Sequence, residues 1–191
     1  MRRRIRIGGV VLVTLLAARA WAGDSHLSFV PWKVLEPGAE PLRTPFILFW
    51  MPTSADEMRH SDLITSQRLT LYAGRCIGMQ VVRVDDGLMV LKLSGAKPPL
   101  AVLMEGEKEL ARVEPADGAL TAAAVEAMVR ETIDRRELAR NSALDRAADK
   151  ARGGENASAI DLYRQVAGDA CLFPRLAKTA QRALRRLGVK P

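Results

Sequence analysis

The sequence predicts an α/β fold, a central sheet with flanking helices, followed by an all-α C-terminal extension. Two short apolar runs, PFILFWM at residues 45–51 and LAVLM at residues 100–104, are typical of strands that are buried on both faces. From residue 120 onward the chain is rich in Ala, Leu, Arg and Glu and has no strand pattern, which indicates helices. The length of 191 residues suits one medium domain with an appendage.

Five apolar or β-branched runs bounded by turn residues predict the strands of the sheet, at residues 27–30, 45–51, 79–84, 100–104 and 109–113. After the second strand, hydroxyl residues followed by Asp56 and Glu57 predict the start of a helix that ends near Gly74. Residues 88–93 predict a short helix or turn. The C-terminal region predicts helices at residues 121–150, 157–167 and 174–187, the first either continuous or broken near Asn141.

The first 22 residues predict an export signal. A basic segment, MRRRIR, precedes the apolar run at residues 7–18, and Ala20-Trp21-Ala22 matches a small-x-small cleavage site. The apolar run is shorter than the roughly 20 residues that a membrane-spanning helix needs. We therefore expect cleavage after Ala22 and a periplasmic or secreted protein with no integral membrane segment, the alternative being an uncleaved anchor.

The net charge of +7 does not indicate a nucleic-acid partner. Without the five arginines of residues 1–22 the net charge is +2, and residues 23–119 alone carry −3. A nucleic-acid-binding domain typically carries a dense basic face. We also expect no metal and no cofactor, because His26 and His60 are scattered and the chain has no glycine-rich phosphate loop.

The order of the elements resembles that of the thioredoxin fold over residues 27–128. Phe49-Trp50 ends the first central strand, as a Phe-Trp pair does in many thioredoxins, and Pro98, eight residues before Gly106, matches the family's cis-proline. Pro99 fits the same position with a slip of one residue. The resemblance implies a thioredoxin-like domain at residues 23–119, with its last helix continuing to about residue 130, and a helical tail at residues 120–191.

The chain lacks the Cys-x-x-Cys motif of that family. When the sequences are registered on Phe49-Trp50, Thr53 occupies the position of the motif's Trp, Ser54 that of its first Cys and Glu57 that of its second. Dithiol exchange needs a thiolate and a resolving thiol, which serine and glutamate do not provide. We therefore expect no catalytic residue here and a non-catalytic binding or scaffold function.

In thioredoxins the proline loop helps to hold an extended peptide against the active-site groove. The resemblance therefore implies a protein or extended-peptide partner, bound in a groove formed by Trp50, Pro52, Asp56 and Pro98. The alternative is that Trp50 is a core residue and that the proline only shapes its turn.

Cys76 and Cys171 lie 95 residues apart, one in each region of the chain. In an oxidising compartment they can pair, and a disulfide would link the tail to the domain. We expect two buried free thiols instead, because the Cα separation that a bridge needs cannot be read from the sequence. A single reactive thiol at Cys76 or Cys171 would make the chain a redox protein of altered chemistry, which is the alternative function.

The tail resembles a tetratricopeptide-type helical hairpin, through residues at small-aromatic-small spacing followed by a proline that opens the next helix: Gly154, Ala159, Tyr163, Val166 and Pro174. The alternative is that these helices pack on the domain or on each other, since such repeats are stable only in arrays. The last predicted helix also carries a basic stripe, Arg175, Lys178, Arg182, Arg185 and Arg186. We expect a solvated face, the alternative being a docking site for anionic lipid or an acidic partner.

Overall fold

The computed structural model describes residues 29–83, 97–115 and 118–190. The export signal at residues 1–22 and the element at residues 88–93 lie outside the described residues. Five strands form one mixed sheet: β1 (Lys33–Leu35), β2 (Phe46–Met51), β3 (Ile77–Val82), β4 (Leu100–Glu105) and β5 (Lys108–Val113). With helices flanking this sheet and following it, the α/β class and the helical C-terminal region are confirmed.

The strand order is β1-β3-β2-β4-β5. β2 pairs in parallel with β3 and antiparallel with β4, so it occupies the centre of the sheet. All six residues of β2 are buried, as its continuous apolar run predicts. The first strand begins at Lys33. The strand predicted at residues 27–30 is therefore wrong for residues 29 and 30, which are the ones that the structure describes. The Val30 N–H donates instead to the Ile64 carbonyl, and Pro31 has no N–H to offer a ladder.

The helix predicted between β2 and Gly74 is divided into three pieces. These are α1 (Ala55–His60), a 3₁₀ turn (Asp62–Ile64) and α2 (Gln67–Ala73). The Ser61 hydroxyl accepts from the N–H of Leu63, and the Ser66 hydroxyl accepts from that of Leu69. Each serine thus caps a new helical segment, and the apolar spacing alone does not reveal these caps.

Three helices complete the chain: α3 (Ala122–Arg152), α4 (Asn156–Gly168) and α5 (Pro174–Arg186). α3 has 31 residues and is continuous through Asn141, whose side chain donates to the Glu137 carbonyl within the helix. At 1.5 Å per residue it is about 46 Å long. No helix in the described ranges combines the length and the apolar character needed to cross a membrane.

The two faces of the sheet have separate cores. On one face β2 packs against α2 and the first half of α3, through residues such as Leu48, Leu69 and Val125. Leu172 and Phe173, from the connection between α4 and α5, belong to this same core. The other face is packed around Phe49, Met51 and Val102. The C-terminal region is therefore joined to the sheet by apolar contacts.

A third cluster joins α3, α4 and α5 to one another. It includes three of the residues that carry the repeat-like resemblance, Ala159, Tyr163 and Val166, together with Ala147 and Leu184. The helices thus pack on each other, while Leu172 and Phe173 pack on the sheet, as the alternative interpretation of the tail expects.

Candidate binding cleft

A cleft of about 520 Å³ opens at the carboxyl ends of the three parallel strands. Its walls come from β1, β3 and the segment between β2 and α1, and its lining is mainly apolar: Val34, Pro52, Thr53, Ser54, Ala55, Met58, Val81 and Arg83. In α/β folds, ligands typically bind beyond the carboxyl ends of parallel strands. This cleft is therefore the first candidate for a binding site.

The polar groups at the start of α1 stabilise the helix. The Ser54 hydroxyl accepts from the N–H of Glu57 at 3.1 Å, and the Glu57 carboxylate accepts from the N–H of Thr53 at 2.7 Å and from its hydroxyl. The arrangement resembles a capping box, except that the Glu57 carboxylate binds Thr53, the residue before the N-cap Ser54. The second carboxylate oxygen of Glu57 is buried and has no hydrogen-bond partner among the described residues. The three positions that the resemblance aligns with the Cys-x-x-Cys motif and its preceding Trp thus form a structural cap.

Trp50 does not line the cleft. Its side chain is 0% exposed and lies in the sheet core, with its ring centroid 5.4 Å from that of Trp32. The alternative that Trp50 is a core residue is therefore the one observed. Of the other expected groove residues, Pro52 lines the cleft, whereas Asp56 is exposed on α1 and contacts Arg59 and His60.

The proline loop lies beside the start of α1. The cis peptide bond joins Pro98 to Pro99, so of the two prolines that the sequence left as alternatives, Pro99 is the cis residue. Met51 pairs with Leu100 across β2 and β4, which brings Pro99 and Pro52 to the same edge of the sheet. The two segments that the resemblance places together are thus neighbours.

Cys76 and Cys171 form a disulfide, with their Cα atoms 5.9 Å apart, so the expectation of two buried free thiols is wrong. Cys171 is exposed, and no cysteine in the described ranges is free. Cys76 immediately precedes β3, whereas the cleft lies at the other end of that strand. Six strand residues span about 20 Å, so neither sulfur can serve the cleft.

A second cleft, of about 560 Å³, borders the disulfide. Tyr72 of α2, Asp134 of α3 and Phe173 contribute to its walls. Burial raises the pKa of the Tyr72 phenol, and the nearby Asp134 carboxylate adds to that rise. This cleft lies between the sheet region and the C-terminal helices.

Arg136 links the sheet to the C-terminal helices through a cluster that the sequence did not reveal. Its guanidinium donates to Glu105 at 2.6 and 3.0 Å and to Asp169 at 2.9 and 3.0 Å. It also lies 4.9 Å from the centroid of the Phe46 ring. Arg140 donates to Asp169 at 2.6 Å. The only sequence signal is Arg136 and Arg140 at a spacing of four residues, which places them on one face of α3.

The residues that the structure describes hold no cluster of His, Cys, Asp and Glu arranged to bind a metal ion. No protein-family model matches the chain, and no curated protein matches it.

Proposed function

We propose that the chain is an exported, non-catalytic binding protein with a thioredoxin-like sheet, and that it holds an extended peptide in the cleft beside Pro52. The observation that carries the proposal is the position of this cleft. The cleft lies where the chain passes from the end of the central strand β2 into α1. Pro99 lies next to Pro52 at this same end of the sheet. This is the arrangement that the resemblance to thioredoxins implies.

Two observations support a function without dithiol chemistry. Ser54 and Glu57, which stand at the positions of the redox cysteines, are engaged in the cap of α1. The cysteines that are present, Cys76 and Cys171, are paired with each other near the opposite end of β3. The alternative, redox chemistry through one of these cysteines, therefore requires that their bond is first reduced.

The unpaired side of strand β1 favours an extended peptide as the ligand. β1 is the edge strand of the described sheet and pairs on one side only, with β3. An edge strand offers a row of N–H and C=O groups to an added strand, and pockets beside it hold alternate side chains. Val34 of β1 is 43% exposed and forms part of the cleft wall, which suits an apolar side chain of such a peptide.

The proposal is tested with a phage library of linear peptides, selected on the wild-type protein. Val34→Arg adds a charge to the cleft wall, and Leu138→Arg makes the same kind of change at an exposed leucine of α3 outside the cleft. We expect the selected peptides to bind the Leu138→Arg variant like the wild type and to lose about tenfold or more in affinity for Val34→Arg, because a buried unpaired charge is costly.

A third variant distinguishes the two candidate functions. Replacement of both Cys76 and Cys171 by serine should leave peptide affinity unchanged if the cleft binds the peptide. The proposal fails if no peptide is enriched, or if Val34→Arg binds as well as the wild type. Loss of binding in the double serine variant alone, with its circular dichroism unchanged, would favour the redox alternative.

A further inference from the structure

The outer face of α5 carries a ridge of five cations, Arg175, Lys178, Arg182, Arg185 and Arg186, all of them exposed. With 3.6 residues per turn, their positions fall within a sector of about 100° around the helix axis. From the first to the last they extend over about 16 Å. We call these five residues the basic ridge.

The basic ridge lies on the side of α5 opposite its buried face, and only Arg175, at the first turn, borders the second cleft. The buried residues of α5 are Ala177, Ala180 and Leu184, and the last two pack against α3 and α4. On the helical wheel this buried face is centred about 160° from the ridge. The apolar side of α5 is thus already occupied, and only the cationic side is available to a partner.

No ion pair neutralises the ridge among the described residues, although Arg175 borders the second cleft together with Asp134 and Glu137. None of its five residues forms an ion pair with a carboxylate in the described part of the chain, and the sequence has no acidic residue after Asp169. In α3, by contrast, six acidic and seven basic residues are interleaved. Like charges three or four residues apart on a helix repel one another and destabilise it. An external anionic partner would offset this repulsion.

We propose that the basic ridge docks α5 on a membrane surface that contains anionic phospholipid. The shape of the ridge favours a membrane over an acidic peptide. Lys178, Arg182, Arg185 and Arg186 line neither of the clefts described above, and they project from a convex helix surface that a flat layer of phosphate groups can contact along its whole length. Because the apolar face is buried, the attachment is electrostatic, without insertion, and is weakened by salt.

The test uses co-sedimentation with vesicles of phosphatidylcholine, either alone or with about one-third phosphatidylglycerol. The ridge variant changes Lys178, Arg182, Arg185 and Arg186 to glutamine. The control variant makes the same change at four exposed cations elsewhere, Arg43, Arg130, Arg135 and Arg146, and so has the same net charge. All proteins are recovered from one host, and intact mass verifies that they share the same N-terminus.

We expect the wild type and the control variant to bind the anionic vesicles similarly, and the ridge variant, which loses four cations, to bind about 1,000-fold more weakly. Binding of the wild type should be largely lost in about 0.5 M salt. Equal loss in the control and ridge variants would overturn the proposal, as would equal binding to both kinds of vesicle. If poly-glutamate but not the anionic vesicles binds the ridge, the partner is an acidic protein, and the membrane proposal is also overturned. Circular dichroism of each variant verifies its fold.

Discussion

The carboxylate of Asp169 receives two hydrogen bonds from the guanidinium of Arg136, at 2.9 and 3.0 Å. Asp169 follows α4 at the start of the α4–α5 connection, and the same guanidinium also holds Glu105 at the end of β4. Only 19% of the Arg136 side chain and 11% of the Asp169 side chain are exposed. The pair therefore lies in an environment where charges are weakly screened, and it joins the sheet to the C-terminal helices.

Loss of Arg136 should strongly destabilise the protein. Arg136→Ala leaves Glu105 without its partner and Asp169 with Arg140 alone, and we expect the free energy of unfolding to fall by about 3 kcal/mol. Arg43→Ala, which breaks an exposed pair with Glu40, is the control and should change it by less than about 1 kcal/mol. Urea unfolding measures both. If both variants lost less than about 1 kcal/mol of unfolding free energy, the Arg136 cluster would contribute little to stability.

The same cluster should make stability depend on acid pH. Burial would raise the pKa of the Asp169 carboxyl, but the hydrogen bonds from Arg136 and Arg140 outweigh it and hold the pKa below its usual range. A lowered pKa in the folded state contributes stability that is present above about pH 4, the unfolded value, and is lost as the pH falls through the folded pKa. Asp169→Asn should therefore weaken the dependence of the unfolding free energy on pH in this range. Some dependence of the unfolding free energy on pH should remain in this variant, because the hydrogen bond from Arg112 also lowers the pKa of the Glu109 carboxyl.

Removal of the disulfide should also lower stability. It closes a loop across 95 residues, so replacing Cys76 and Cys171 with serine should lower the free energy of unfolding by about 3–4 kcal/mol. Cys76 has φ of +65°, in the left-handed region that favours glycine. A matched variant with glycine at position 76 and serine at position 171 should therefore regain about 1 kcal/mol relative to the double serine variant. Chemical denaturation of all three proteins measures both differences.

Grafted cysteines test whether the start of α1 corresponds to the thioredoxin motif. Ser54 and Glu57 stand three residues apart at the first turn of α1, where side chains at this spacing are neighbours. We expect the Ser54→Cys, Glu57→Cys variant to form a second disulfide and to gain dithiol-dependent reduction of insulin. The single Ser54→Cys variant is the control and should not catalyse the reduction of insulin. A double variant that forms no bond between positions 54 and 57 would contradict the proposed correspondence.

Local patterns predicted most of the elements. The uninterrupted run at residues 45–51 identified the buried central strand, because a run this short between two prolines is typical of a strand covered on both faces. Hydroxyl and proline positions gave the starts of α1 and α5 closely. The division of the helix before Gly74 was missed, because the hydroxyls of Ser61 and Ser66 act as caps only in a particular local geometry.

The contacts that the sequence did not reveal join residues that are far apart in the chain. Cys76 meets Cys171, and Arg136 meets Glu105 at a separation of 31 residues, only after the helices have packed on the sheet. The direction in which Trp50 faces also depends on which side of β2 meets α2 and α3. Sequence reasoning located the start of α1 in the candidate site, but not the walls that β1 and β3 supply.

The bond between Cys76 and Cys171 has a consequence for proteolysis. Every peptide bond between residues 77 and 170 lies inside the covalent ring that this bond closes. A single protease cut there opens the ring without dividing the molecule. The nicked protein would migrate as one species on a non-reducing gel and as two fragments after reduction, so a cleaved molecule would keep the cleft and the basic ridge on one covalent body.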